Sequence, residues 1–175
     1  LAALLDELAF TYPSVVFVVS AGNQHPINIF STIQEIVDNY PKYFISEPRF
    51  RILNPATAAL ALSIGSIAGP ARSMPATYTE EQIRTPIALE NQPSPFTRSG
   101  LGINGMIKPE LVEYGGNLIL HNSHGNIGED IGGKIAVLNN QTTNNILKYD
   151  FGTSYSAPKV ANLVGRIANK FPQKS

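Results

Sequence analysis

The 175-residue chain has no cysteine, so neither a disulfide framework nor a thiolate metal site is open to it. It has no net charge either, since 13 lysines and arginines stand against 13 aspartates and glutamates. That balance argues against a nucleic-acid-binding surface and against a polybasic membrane patch. No apolar run reaches the roughly 20 residues that span a bilayer. Internal repeats and low-complexity tracts are absent. A signal peptide is not recognisable, because a basic n-region is missing and Leu1 stands where an initiator Met would. Leu1, Leu4, Leu5 and Leu8 already fall at helical spacing with no capping residue before them. So abrupt an opening predicts a piece of a longer protein. What is present is globular composition, 43% hydrophobic and 15% charged, in a chain long enough for one domain with its own core.

Along the chain, residues 1–10 read as an amphipathic helix ended by Tyr12-Pro13-Ser14. Residues 15–19, five apolar residues rich in β-branching, read as a strand buried on both faces, as in a parallel sheet under helices. Small residues, Ser20-Ala21-Gly22-Asn23, follow as a tight exit loop. Residues 29–40 read as a second helix, and residues 56–67 hold a second buried strand centred on Ala61-Leu62-Ser63-Ile64. Five prolines between Gly69 and Pro95 rule out a continuous element there. Residues 108–112 read as a short extended piece ending at Gly115-Gly116, and residues 118–120 and 135–138 as further short strands. Residues 156–171 read as a mostly buried helix with Pro158 in its first turn. Alternation of helices with β-branched strands predicts a three-layer α/β architecture.

Chemistry concentrates in Gly152-Thr153-Ser154-Tyr155-Ser156-Ala157-Pro158. A serine at a helix N-terminus lies at the positive end of the helix dipole, among free backbone N–H groups that can stabilise an oxyanion. Gly152 lets the backbone approach a substrate without a Cβ in the way. The second segment is Asn23, whose amide offers N–H donors at the C-terminal edge of a parallel sheet, where open α/β sheets place their sites. A side-chain donor plus a backbone N–H completes an oxyanion hole.

Gly-Thr-Ser-x-Ser-x-Pro resembles the serine signature of the subtilase family, which includes subtilisins and kexins. Residues 17–23, Phe-Val-Val-Ser-Ala-Gly-Asn, look like that family's oxyanion-hole strand, and Ala61-Leu62-Ser63-Ile64-Gly65 is similar to the strand after it. Phe96-Thr97-Arg98-Ser99-Gly100, followed by Lys108-Pro109-Glu110, resembles a further family segment, so the likeness runs over most of the chain in the right order. It implies a three-layer αβα subtilisin-like fold with a parallel sheet, of which residues 1–175 are the C-terminal part. It implies a serine endopeptidase acting on polypeptide, with Ser154 as nucleophile and with Asn23 and the Ser154 N–H as oxyanion donors. Ala21 and Gly22 are expected to line the pocket for the substrate side chain before the scissile bond, with Gly152 and Thr153 also bordering the substrate. No cofactor is implied. Many subtilases bind structural calcium, but the cluster of oxygen ligands that calcium needs is not visible here. The sequence departs from the family at Asn162, where Gly or Ala is usual, and at Lys159, where His is frequent. Segments 28–40 and 69–95 are longer than in the simplest members. They follow strands, and they are expected to overhang the cleft, restricting access or recruiting a partner.

A serine hydroxyl needs a base to take its proton. The family supplies Asp from an Asp-x-Gly motif and His from a His-Gly-Thr motif, both upstream of the serine. Neither motif occurs here. His124-Gly125-Asn126 comes after Asn23, in the wrong order for that histidine. The missing N-terminal half of the domain is therefore the expected partner, the isolated chain is expected to be inactive, and the 15–19 strand is expected to expose an apolar edge. Three other readings stand beside this one: Ser154 as a helix cap, a self-contained hydrolase using His124 with Asp130 or Asp150, and a pseudo-protease or interaction module that keeps the fold without turnover.

Overall fold

The computed structural model describes residues 1–70, 84–121, 126–128, 131–140 and 145–172. In chain order the elements are α1 (Ala2–Thr11), β1 (Val18–Ser20), α2 (Ile33–Asn39), α3 (Tyr43–Ser46), β2 (Leu62–Ile67), β3 (Arg84–Pro86), β4 (Gly100–Leu101), β5 (Ile107–Lys108), β6 (Leu111–Tyr114), β7 (Ile119–His121), β8 (Asn126–Gly128), β9 (Ile135–Leu138), β10 (Leu147–Asp150) and α4 (Thr153–Lys170). The central sheet is parallel, in the order β1-β2-β6, with Val18 opposite Leu62 and Ile64 opposite Leu111. The described residues also form an antiparallel three-stranded sheet, β3–β7–β8, and the antiparallel pairs β9–β10 and β4–β5.

Successive strand residues face opposite sides of a sheet, and here that alternation builds the layers. Val18, Leu62 and Ile64 pack against Ala157, Val160 and Val164 of α4. Val19 faces the other way, toward Ala2 and Leu5 of α1 and toward Ala21, Ile52 and Ala56. One helix lies on each face, the αβα arrangement that the sequence predicts. α1 is tied down by Asp6, whose carboxylate accepts from the N–H groups of Ala59 (3.0 Å) and Leu60 (2.7 Å). A separate aromatic core of Ile36, Tyr43, Phe44 and Phe50 holds residues 26–52, with the Tyr43 and Phe50 rings stacked at 4.3 Å. Burying each such ring is worth about 1.5–3 kcal/mol. Tyr40 and Tyr43 donate their hydroxyls to the carbonyls of Pro93 and Pro95, both at 2.7 Å, and so fasten this segment to the 93–99 stretch.

Several elements differ from expectation. The first strand spans Val18–Ser20, and Val15 and Val16 are about half exposed rather than buried. β1 is an edge strand, and among the described residues nothing pairs with its outer side. The second helix starts at Ile33 because Thr32 and Glu35 form a reciprocal capping box, and a 3₁₀ turn, Pro26–Asn28, precedes it. The 69–95 stretch contains β3, ended by Pro86, while residues 71–83 lie outside the described residues. The 108–112 piece divides around Pro109 into β5 and β6. The strand read at 118–120 lies one residue later, and the one at 135–138 stands as read.

The largest correction concerns α4. It begins at Thr153, three residues before the expected start, so Pro158 lies in its second turn and has no N–H for the Ser154 carbonyl. Nor is α4 mostly buried. Thr153, Ser156, Ala157 and Val160 are buried, whereas Leu163 and Ile167 are about half exposed, because the helix runs on past the three strands that pair among the described residues. Among the described residues no helix is long and apolar enough to cross a membrane.

Candidate active site

β1 ends at Ser20, and its ladder continues one step further, with the Ala21 N–H donating to the Ile64 carbonyl (2.8 Å). Two backbone bonds then hold the loop on either side of Asn23. Arg98 N–H donates to the Gly22 carbonyl (3.1 Å), and Gln24 N–H donates to the Phe96 carbonyl (2.7 Å). Asn23 is exposed, at the C-terminal end of the parallel strand.

The Gly152 turn meets Asn23 there. Thr153 donates both its N–H and its hydroxyl to Asn23 Oδ1, each at 3.0 Å. The Thr153 hydroxyl in turn accepts the Gly22 N–H at 3.2 Å. An amide whose oxygen takes two donors has its NH₂ directed elsewhere. Here Nδ2 lies toward Gly152, where an added Cβ would stand 3.0 Å from Nδ2 and 3.8 Å from Oδ1. Gly152 also has φ +144°, a conformation that L side chains rarely adopt, so the turn needs glycine on two counts.

The two serines of the motif separate cleanly. Ser156 is fully buried, and its hydroxyl donates to the Glu113 carbonyl (3.0 Å), fixing α4 to the end of β6. Gly152 N–H adds a bond to the Gly115 carbonyl (2.8 Å). Ser154 is exposed, and among the described residues no group hydrogen-bonds its hydroxyl. It is the second residue of the helix, too early for its N–H to find an intrahelical acceptor. Gly152 occupies the cap position, so Ser154 is not the cap.

Asp150 is engaged locally. Its carboxylate accepts the Tyr155 hydroxyl at 2.5 Å and the Phe151 N–H at 2.9 Å, with Lys148 Nζ at 3.4 Å. Burial alone would raise its pKa, but these donors outweigh it and hold the carboxyl below its ordinary value. The same hydrogen bond, aided by burial, pushes the Tyr155 hydroxyl up to about 12. His124 and Asp130, the other members of the self-contained triad, lie outside the described residues. His25 caps the Pro26–Asn28 turn, its Nδ1 accepting from Ile27 N–H at 3.3 Å. Among the described residues no three acidic or histidine side chains are grouped to hold a metal ion.

Ser154, Asn23, Gly22, Gly152 and Thr153 are thus gathered at one place. Ala21 is beneath it, its side chain packed with Ile52 and Ala56. Sequence reasoning missed the part played by Thr153 as the link between Gly22 and Asn23. It also missed Arg98, which runs behind the loop.

Residues 4–175 match the subtilase family. The chain belongs to that family. Its αβα layering and the order of its motifs agree with this, and the family-level function is that of a serine peptidase. The chain is similar to the uncharacterized protein y4bN of Sinorhizobium fredii (strain NBRC 101917 / NGR234), with 39% identity over 177 residues, covering 99% of this chain. It spans 40% of that relative's length. No solved structure matches it.

Proposed function

We propose that this subtilase chain is the nucleophile-bearing C-terminal part of a serine endopeptidase domain that cleaves polypeptide. The observation that carries the reading is the clamp on Asn23. Thr153 holds the amide oxygen with two bonds, which leaves the NH₂ on the Gly152 side, and the exposed Ser154 follows with a hydroxyl that no group hydrogen-bonds among the described residues.

In this mechanism the Ser154 oxygen attacks the scissile carbonyl, and the carbonyl oxygen gains negative charge. Asn23 Nδ2–H and the Ser154 N–H donate to that oxygen, helped by the positive end of the α4 dipole. These donors are set before the reaction begins, so no reorganisation is needed as charge develops. Gly22 and Gly152 border the substrate through their backbone, and Ala21 supports that wall from below. The proton of Ser154 goes to a histidine held by an aspartate, and both come from sequence N-terminal to this chain. The outer edge of β1, unpaired among the described residues, the exposed leucines of α1 and the 40% coverage of the relative support a domain that continues upstream.

The full-length protein is expected to hydrolyse an unfolded polypeptide, and Ser154→Ala is expected to abolish this without loss of folding. Residues 1–175 alone are expected to be inactive, since in a subtilisin, a member of the same family, losing the histidine alone costs about 10⁶ in kcat. Hydrolysis that persists in Ser154→Ala would remove the reading.

A further inference from the structure

Arg98 reaches the Asn23 loop twice. Its backbone N–H donates to the Gly22 carbonyl, just before Asn23. Its side chain then folds back along the loop. A Cβ added to Gly22 would stand 3.1 Å from Arg98 Cδ, so the chain lies directly against that glycine. Beyond it, Nη2 donates to Gln24 Oε1 at 2.9 Å, just after Asn23. Nη1 donates to the carbonyls of Arg49 (2.7 Å) and Arg51 (2.9 Å), at the end of the segment built on the aromatic core.

The partners of this guanidinium are informative. Among the described residues it pairs with no carboxylate, and its donors go to two main-chain oxygens and one side-chain amide. A planar fork of fixed donors suits that geometry where a single ammonium does not. Residue 24 is therefore fastened to residues 49 and 51 through the Arg98 side chain and residue 22 is held by the Arg98 main chain, while the neighbouring Thr97 is buried and accepts the Ser66 N–H at 3.0 Å. The 93–99 stretch is itself held to the aromatic segment by Tyr40 and Tyr43. Asn23 sits at the free point of this bracket, with its backbone fixed from the Arg98 side and its amide fixed from the Thr153 side.

We propose that Arg98 is a positioning residue for the oxyanion donor, coupling the Arg49–Arg51 segment to the loop that carries Asn23. This rests on the reading of Asn23 and Ser154 given above. Arg98 acts through Asn23 and does not itself touch the reacting carbonyl. Misplacing a catalytic group by about 1 Å can cost as much as 10²-fold in rate. Loss of the bracket is therefore expected to lower kcat by about 10-fold and to leave KM unchanged.

The test is a double-mutant cycle in the full-length protein, with kcat and KM measured on a chromogenic peptide amide. Arg98→Met should lower kcat about 10-fold at unchanged KM. In the Asn23→Ala background the same change should have no further effect, because the group it positions is gone. Gln24→Leu removes the Nη2 bond and spares the backbone bonds, and it should lower kcat about 3-fold, again only when Asn23 is present. If Arg98→Met does not fold, the Gln24→Leu cycle decides alone. Losses that multiply with that of Asn23→Ala, or that appear in KM, would overturn the assignment. Turnover that survives Ser154→Ala would instead overturn the underlying reading, whatever the cycle gives.

Discussion

Replacing Thr153 by Val tests the clamp with the smallest change in shape. Thr153 is fully buried, and its hydroxyl makes two bonds: it donates to Asn23 Oδ1 at 3.0 Å and accepts from Gly22 N–H at 3.2 Å. Valine keeps the volume and loses both. At a net value of about 0.5–1.5 kcal/mol per hydrogen bond, stability should fall by about 1–3 kcal/mol. The effect on rate has a separate origin. Asn23 Oδ1 keeps the Thr153 N–H but loses the second donor, so its amide is aligned by one bond instead of two. If that bond biases the amide by about 0.5–1.5 kcal/mol, kcat should fall by about 2- to 13-fold. The ceiling is the complete loss of the donor, about 10²–10³ in a subtilisin. Thr153→Ser, which keeps the hydroxyl, should retain most of the rate and lose stability for its missing methyl. Urea unfolding and kcat on a peptide amide, measured on the full-length protein, give both numbers. Wild-type stability and rate in Thr153→Val, or an equal rate loss in Thr153→Ser, would refute the clamp.

Three further outcomes follow from the same geometry. Ser156→Ala should cost about 1–3 kcal/mol, because it leaves the partly buried Glu113 carbonyl without the Ser156 donor, yet it should preserve reactivity at Ser154; urea unfolding and active-serine labelling separate the two effects. Lys108, buried, donates to the Ala61 carbonyl at 3.0 Å and pairs with Glu110, which also accepts from Ser63 N–H (2.8 Å) and Oγ–H (2.6 Å). Burial opposes ionisation of Glu110, but these donors prevail and lower its pKa. Its stabilising effect is thus fully present above the unfolded value of about 4.3 and is lost as pH falls through the lower folded value. Unfolding measured from about pH 6 to pH 3 should show a steeper acid loss than in Glu110→Gln, and parallel curves would contradict it. Residues 1–175 alone should associate through the open edge of β1 and the exposed leucines of α1, and a monodisperse monomer by light scattering would count against this.

Local patterns carried most of what was legible in the sequence. A β-branched run over residues 15–19 broken by Ser-Ala-Gly-Asn marked a strand whose exit loop carries Asn23, and Gly-Thr-Ser before a run of small residues marked the turn into α4. The start of α4 was misjudged for a physical reason. Its first N–H is satisfied by Asn23, 130 positions away, so no local capping residue announces it. The role of Thr153 was hidden in the same way, since Gly22 and Asn23 become its partners only after folding. Arg98 could be quoted as part of a motif, but nothing in Thr-Arg-Ser indicates a side chain that turns back to Gln24, Arg49 and Arg51. The apolarity of α4 was legible, whereas its exposure was not, because periodicity records which face is apolar and not how many strands lie beneath it.

Labelling with a fluorophosphonate tests the central claim most directly, because the reagent reacts with an activated serine and needs no knowledge of substrate preference. The full-length protein should be labelled at Ser154, Ser154→Ala should not, and Ser156→Ala should label like the wild type. Labelling that persists in Ser154→Ala, or a folded full-length protein that takes up no label, would contradict the account.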